Sequence, residues 1–136
     1  MKKLFTLTAL AASLGLSACQ HGGAYKPKNT AVYNLEDSEP VVLMDRFVQR
    51  SVTAPGVKQM TLKDGRMRVI ANIRNRESRR IQVQVSCVFK DEDGFPTGEP
   101  SNWRDLILTE GAQEGIEFYS LNDKARKFTV RIRQAH

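Results

Sequence analysis

The sequence is poor in the residues that most enzymes use for catalysis and metal binding. It contains two histidines, two cysteines and one tryptophan among 136 residues. His21 lies close to the amino terminus and His136 is the last residue, so neither is placed to act as a general base inside a pocket. The sequence also has no glycine-rich phosphate loop and no zinc-ligand spacing. We therefore expect a protein that is not an enzyme and that uses no cofactor or metal.

The one hydrophobic run, near the amino terminus, is too short to span a membrane. Lysines at positions 2 and 3 precede about a dozen mostly apolar residues, whereas a spanning helix needs roughly 20. The next four residues, Leu16–Cys19, resemble the lipobox of bacterial lipoproteins, in which a branched and two small residues precede a lipid-modified cysteine. We expect residues 1–18 to be a signal peptide and Cys19 to become the lipidated amino terminus.

An alternative interpretation is an ordinary signal peptide with a disulfide between Cys19 and Cys87. Lipidation is favoured because Cys19 stands where the lipobox requires it, and because cleavage would otherwise leave that cysteine on a flexible tail. Two or three acyl chains make a stable anchor, since each buried CH₂ contributes about 0.8 kcal/mol. Gln20 is not the aspartate that retains many enteric-type lipoproteins in the inner membrane, so the resemblance implies the outer membrane, with the protein facing the periplasm.

Residues 19–40 are rich in glycine, proline, lysine and acidic residues, and we expect them to form a flexible tether. A flexible chain of this length has an end-to-end distance of about 25 Å. The alternative is that residues 32–35 add an edge strand to the domain. Residues 41–136 then form a single domain, a size that one small core can support.

The charge of the chain excludes one class of partner. Two of the 21 basic residues leave with the signal peptide, so the net charge falls from +6 to +4. This balance suits contact with anionic groups but lacks the concentrated basic stripe of a nucleic-acid binder. We expect no nucleic-acid partner.

The residues after position 41 alternate between apolar and polar in the manner of half-buried strands. The clearest case is the segment 81–90, whose predicted inward positions are Ile81, Val83, Val85, Cys87 and Phe89. Cys87 occupies one of these inward positions and is therefore predicted to be a small core residue rather than a reactive thiol.

Turn residues separate the predicted strands at short intervals. Asp64 and Gly65 favour a hairpin between residues 57–63 and 66–74, and residues 75–80 are predicted to close the next hairpin. Further strands are predicted at 106–109, 115–119 and 127–133, with no helical pattern of ten residues between them. We expect an all-β fold, an immunoglobulin-like antiparallel β-sandwich of about seven strands.

A larger set of core and turn positions carries a resemblance to a known family. The residues are Val85, Cys87, Phe89, Asp91, Gly94, Trp103, Arg104, Leu106, Leu108, Gly111, Phe118, Ala125, Phe128, Val130, Arg131 and Ile132. This pattern resembles the YcfL family of periplasmic lipoproteins, although Cys87 stands where an aromatic residue is expected. The resemblance implies a lipobox, a polar tether and a small β-sandwich, and the family has no settled activity.

Arginines are the candidate binding residues. Arg74, Arg76, Arg79 and Arg80 cluster on the second predicted hairpin, and arginine binds carboxylates and phosphates through bidentate contacts. Four more arginines, at positions 66, 68, 131 and 133, lie on outward faces that would come together if their strands share a sheet. The alternative is that these charges only keep a sheet face soluble.

Two further motifs each have two interpretations. Trp103 follows a stretch rich in turns, where it could anchor a partner or, as we favour, close one end of the core. Asp91 and Asp93 before Gly94 are similar to the start of a calcium loop, but a plain turn is favoured because the next ligand position holds Phe95.

These features predict a lipid-anchored, non-catalytic interaction module that binds another envelope component through an edge strand or the arginine hairpin. The alternative is that the arginine hairpin binds an anionic small ligand, a lipid headgroup or a cell-wall glycan.

The anchor is open to a direct test. We expect the mature protein to fractionate with membranes and to carry acyl chains on Cys19, measured by mass spectrometry of the amino-terminal peptide. A mature protein that is free in solution, with an unmodified thiol at its first residue, would contradict the lipobox interpretation.

Overall fold

A computed structural model describes residues 39–136. The predicted signal peptide, Cys19 and residues 32–35 lie outside the described residues. The described part contains one short helix and seven strands. In chain order these are β1 Val41–Leu43, α1 Arg46–Ser51, β2 Val52–Thr61, β3 Met67–Asn75, β4 Ile81–Lys90, β5 Arg104–Leu108, β6 Gln113–Tyr119 and β7 Lys127–Gln134.

The strands form two sheets, in the orders β1-β7-β4-β5 and β2-β3-β6. All pairs are antiparallel except β1 with β7, where Val41 lies opposite Val130 and Leu43 opposite Ile132. Helix α1 leads the chain from β1 to β2, which lies in the other sheet, so no hairpin joins β1 to the next strand. β1 pairs instead with β7, the last strand of the chain, and the two run parallel. The predicted all-β sandwich is confirmed.

The core lies between the sheets and is built from the alternation seen in the sequence. On β4 the five predicted inward side chains are all buried, at 8% exposure or less. They pack against the inward residues of the facing sheet, which include Val69, Ala71 and Ile73. Removing these apolar side chains from water supplies the main stabilising free energy, at roughly 25 cal/mol per Å².

The predicted hairpin between β2 and β3 is present. The Gly65 amide donates to the carbonyl of Leu62 at 3.0 Å, and the Leu62 amide donates to the carbonyl of Arg66 at 2.8 Å. Gly65 has a φ of +87°, which a residue with a side chain rarely adopts. The Asp64 carboxylate accepts from the Arg66 amide at 3.1 Å and so closes the turn.

The second predicted hairpin, at residues 75–80, is wrong. β3 and β4 belong to different sheets, so this segment connects the two layers of the sandwich rather than two paired strands. Backbone hydrogen bonds hold the connection to the β5–β6 turn and to helix α1. The Asn75 amide donates to the Ala112 carbonyl at 2.9 Å, and the Arg76 amide donates to the Ser51 carbonyl at 2.8 Å.

Helix α1 was missed because its six residues are too few to show a helical period in the sequence. It begins at an Asp45 cap, whose side chain accepts from the Val48 amide at 3.0 Å. The same carboxylate accepts from the Gln134 amide of β7 at 2.7 Å. Val48 is fully buried, so the helix is fixed to the sandwich at both its cap and its apolar side.

The pairing registers define the two ends of the sandwich. The chain joins the sheet at Pro40, whose carbonyl accepts from the Val130 amide, and the turns after β4 and β6 lie at this Pro40 end. Helix α1, the β3–β4 connection and the turn between β5 and β6 lie at the opposite end. We call this opposite end the arginine end, after the arginines of residues 46–50 and 74–80.

Two neighbouring residues of β5 test the core assignment. Leu108 is fully buried, whereas Ile107 is 47% exposed on the other face of the strand. We expect Leu108→Ala to lower the free energy of unfolding by about 2–5 kcal/mol, since it leaves a cavity, and Ile107→Ala to change it by about 0.5 kcal/mol or less. Urea denaturation monitored by circular dichroism measures both, and equal effects would contradict the assignment.

Candidate functional site

All four arginines predicted as a binding cluster lie at the arginine end. Arg74 is near the end of β3, and Arg76, Arg79 and Arg80 lie in the β3–β4 connection, all with exposed side chains. The structure adds two arginines that the sequence analysis did not include, Arg46 and Arg50 of helix α1. The sequence analysis missed these two arginines because it did not predict helix α1 and therefore did not place residues 46–51 near the connection.

Glu77 is the carboxylate that lies among these arginines. Its Oε2 is 3.9 Å from the Arg79 Nε, and its Oε1 accepts a hydrogen bond from the Ser51 hydroxyl at 2.8 Å. Within residues 39–136, no carboxylate lies within 4.0 Å of the guanidinium groups of the other five, which are Arg46, Arg50, Arg74, Arg76 and Arg80. Five guanidinium groups at this end therefore have no ion-pair partner among the described residues, although the same end also carries Asp45 and Glu110.

Helix α1 and the connection enclose a cleft with a volume of about 320 Å³. Its lining consists of Arg46, Phe47, Arg50, Ser51, Glu77 and Arg79. Phe47 is partly buried and packs against the core, so its position in the wall is set by the fold. The cleft combines three guanidinium groups with one apolar wall.

The Asn75 side chain positions the arginine-bearing connection. It is fully buried, and its amide nitrogen donates to the carbonyls of Arg79 at 2.7 Å and Thr109 at 2.8 Å. Its Oδ1 accepts from the Glu77 amide at 2.8 Å. A single amide thus joins the end of β3, the connection and the turn after β5, because only a side chain with both donors and an acceptor can satisfy all of these backbone groups.

The other four arginines do not meet the condition for coming together, because their strands do not share a sheet. Arg66 and Arg68 belong to the hairpin of the three-stranded sheet, whereas Arg131 and Arg133 lie on β7 of the four-stranded sheet. Strand alternation predicts which face a residue occupies, but it does not predict which sheet a strand joins.

Arg66 and Arg68 each have a local acidic partner. The Arg66 Nε lies 2.6 Å from the Asp64 Oδ2, and this hydrogen bond holds the pKa of Asp64 below its usual value. Arg68 binds Glu117, which also accepts from the Tyr119 hydroxyl at 2.6 Å. The Arg68 contact is the larger cause of the lowered pKa of Glu117. These pairs neutralise much of the charge of Arg66 and Arg68.

Trp103 does not close the core as predicted. It is absent from the buried cluster and lies on the outer face of the four-stranded sheet. The guanidinium carbons of Arg133 and Arg131 lie 4.0 and 5.1 Å from its ring centre. The Trp103 ring is therefore held by cation–π attraction and stacking rather than by packing in the core. The guanidinium groups that contact it belong to the outward-facing residues of β7.

Cys87 has the core position that the alternation predicted. It is 5% exposed, and burial raises the pKa of its thiol to about 12, although Arg131 and Arg104 oppose this shift. A thiol that stays protonated at neutral pH is a poor nucleophile. Cys87 therefore acts as a small apolar side chain.

Asp91 forms a plain turn rather than the start of a calcium loop. Its Oδ1 accepts from the amides of Asp93 at 3.0 Å and Phe95 at 2.9 Å. Donation by two nearby backbone amides to one side-chain oxygen is the pattern of an Asx turn. Across the described part of the chain, no group of three or more metal-ligating side chains comes together. From residue 39 onward, no helix has the length and apolar character needed to cross a membrane.

The described domain matches a known protein family. A family model described as "Protein of unknown function (DUF1425)" matches residues 39–134. The chain belongs to the DUF1425 family. The match begins two residues before β1 and ends with β7, so the DUF1425 unit and the sandwich coincide.

Two solved structures are similar to this DUF1425 domain. One is Campylobacter jejuni cj0090, with a TM-score of 0.59 and 15% identity, over 71% of this chain and 98% of that chain. The other is a DUF1425 family member from Shewanella sp. pv-4, with a TM-score of 0.55 and 21% identity, over 62% and 77%. At such identities the likeness shows the fold alone. No curated protein is similar enough to match the sequence.

The role of Asn75 is testable with a matched substitution elsewhere. Asn75→Ala leaves buried backbone groups unpaired, so we expect it to lower the free energy of unfolding by about 1–3 kcal/mol. It should also broaden the amide resonances of Glu77 and Arg79 in a ¹⁵N spectrum. Asn102 is exposed, and Asn102→Ala serves as the control. Wild-type stability in Asn75→Ala would contradict the proposed role.

Proposed function

We propose that this DUF1425 protein is a YcfL-type lipoprotein, anchored by Cys19 in the outer membrane and facing the periplasm. In this proposal the β-sandwich is a non-catalytic interaction module, and its arginine end binds an acidic envelope protein. The anchor rests on the lipobox at Leu16–Cys19, which precedes the described residues. The binding surface rests on the six arginines at the arginine end.

The observation that carries the binding role is the excess of unpaired cations. Five of the six guanidinium groups have no carboxylate within 4.0 Å in the described range, and the sixth has only Glu77 at 3.9 Å. An isolated domain gains little from keeping like charges together, because they repel one another. An acidic partner would neutralise this surface, speed association and form bidentate contacts.

The direction of the surface favours a partner away from the lipid. The tether joins the domain at Pro40, and the arginines lie at the opposite end of the strands. Ten-residue β4 spans about 33 Å at 3.3 Å per residue. The proposed anchor precedes the Pro40 end, so the arginine end lies at the far end of the strands and is free to reach a protein beyond the headgroups of the anchoring leaflet. This placement supports a protein partner.

The second candidate is an anionic small ligand or cell-wall glycan bound at the same end. The cleft beside helix α1 supports it, since its volume of about 320 Å³ is at the lower end of ligand pockets. A partner protein is preferred because Arg74, Arg76 and Arg80 lie outside the lining of this cleft, and a small ligand within it would leave them unpaired.

Charge reversal tests the proposal. We expect Arg76→Glu, Arg79→Glu and Arg80→Glu together to remove the partner from crosslinked complexes in intact cells, because three attractive contacts become repulsive. The readout is quantitative mass spectrometry of proteins crosslinked to the tagged lipoprotein.

A matched variant controls for the change in total charge. Lys58, Lys63 and Lys124 are exposed and lie outside the arginine end, so their replacement by glutamate makes an equal charge change. This control should keep the partner. The proposal fails if the arginine variant, folded and membrane-bound, retains its full set of crosslinks.

A further inference from the structure

The charged side chains that line the cleft at the arginine end indicate what kind of group it can bind. Arg46 and Arg50 come from one turn of helix α1, and Arg79 comes from the β3–β4 connection on the other side. Glu77 is the one acidic residue in the lining. Three guanidinium groups and one carboxylate leave an excess of two positive charges, so the cleft is electrostatically suited to an anion.

Glu77 is held in place and does not neutralise the helix arginines. Its backbone amide donates to Asn75, and its Oε1 accepts from the Ser51 hydroxyl, which is 2% exposed. The remaining oxygen faces Arg79 at 3.9 Å, beyond hydrogen-bond distance. Arg46 and Arg50 thus keep their donor groups for another acceptor.

We infer that this cleft binds a carboxylate group carried on an aliphatic stem, namely a glutamate side chain of an acidic peptide segment. The inference rests on the proposed function and identifies the group that the partner inserts. A guanidinium fork matches the two oxygens of a carboxylate. Phe47, in the cleft wall, provides an apolar contact for the methylene groups that carry it.

The apolar wall favours a carboxylate on an aliphatic stem over an inorganic phosphate. Phe47 offers a contact to the methylene groups of a glutamate side chain. A phosphate ion has no apolar group to make that contact. The cleft volume of about 320 Å³ accommodates one such side chain with its neighbouring backbone, and a folded domain would remain outside.

Binding of a fluorescein-labelled hexaglutamate peptide tests the inference, measured by fluorescence anisotropy with the mature lipoprotein in neutral detergent micelles. We expect Arg46→Gln with Arg50→Gln to weaken binding at least tenfold. The control is Arg74→Gln with Arg76→Gln, which removes the same charge from the same end but outside the cleft. It should weaken binding threefold or less.

Side-chain NMR gives a second measurement on the same sample. The Nε–Hε resonances of Arg46, Arg50 and Arg79 should shift on addition of the peptide, while those of Arg74 and Arg80 should move little. Circular dichroism and urea denaturation establish that each variant is folded, so that lost binding is not confused with unfolding.

The outcomes separate the cleft from the wider proposal. Equal weakening by both double substitutions would overturn the cleft as the site, while the arginine end would stand as the binding surface. Unchanged binding in both variants would overturn the two proposals together. Tighter binding of inorganic phosphate, or of phosphatidylglycerol vesicles, than of the peptide at the cleft would overturn the assignment to a carboxylate.

Discussion

The arrangement of the arginine end depends on the hydrogen bonds of one buried amide, the side chain of Asn75. It joins the last residue of β3 to the connection that follows and to the turn between β5 and β6. A buried amide with satisfied donors and acceptor fixes its neighbours, because any movement leaves polar groups without partners. The exposed arginines of β3 and the connection therefore lie on a backbone that is held from inside the domain.

The two ends of the sandwich differ in their charged residues. At the Pro40 end the turns are closed by short-range bonds, such as those of Asp91, and basic and acidic residues are mixed. At the other end, helix α1 and the β3–β4 connection bring arginines together around one carboxylate. The proposed tether would lead into the first end, so the proposed anchor and the proposed binding surface adjoin opposite ends of the strands.

Several features were predictable because they depend on neighbours in sequence. The alternation on β4 placed Cys87 and its neighbours inward, and the Asp64–Gly65 turn predicted the β2–β3 hairpin. The six-residue helix was not predictable in this way, since it is stabilised by the Asp45 cap and by Val48 in the core rather than by a long period. Missing the helix meant missing Arg46 and Arg50, although the other four arginines were identified.

The sequence by itself determined the strand pattern, the hairpin turn, the shortage of catalytic residues and the group of arginines at 74–80, because these depend on local spacing and composition. Only the tertiary structure decided that β3 and β4 lie in different sheets, that Trp103 meets Arg131 and Arg133, and that helix α1 faces the connection. The physical reason is that sheet membership is set by contacts between segments far apart in the chain. The alternation of apolar and polar residues predicts which face of a strand is buried, but it does not predict which strand or sheet that face packs against.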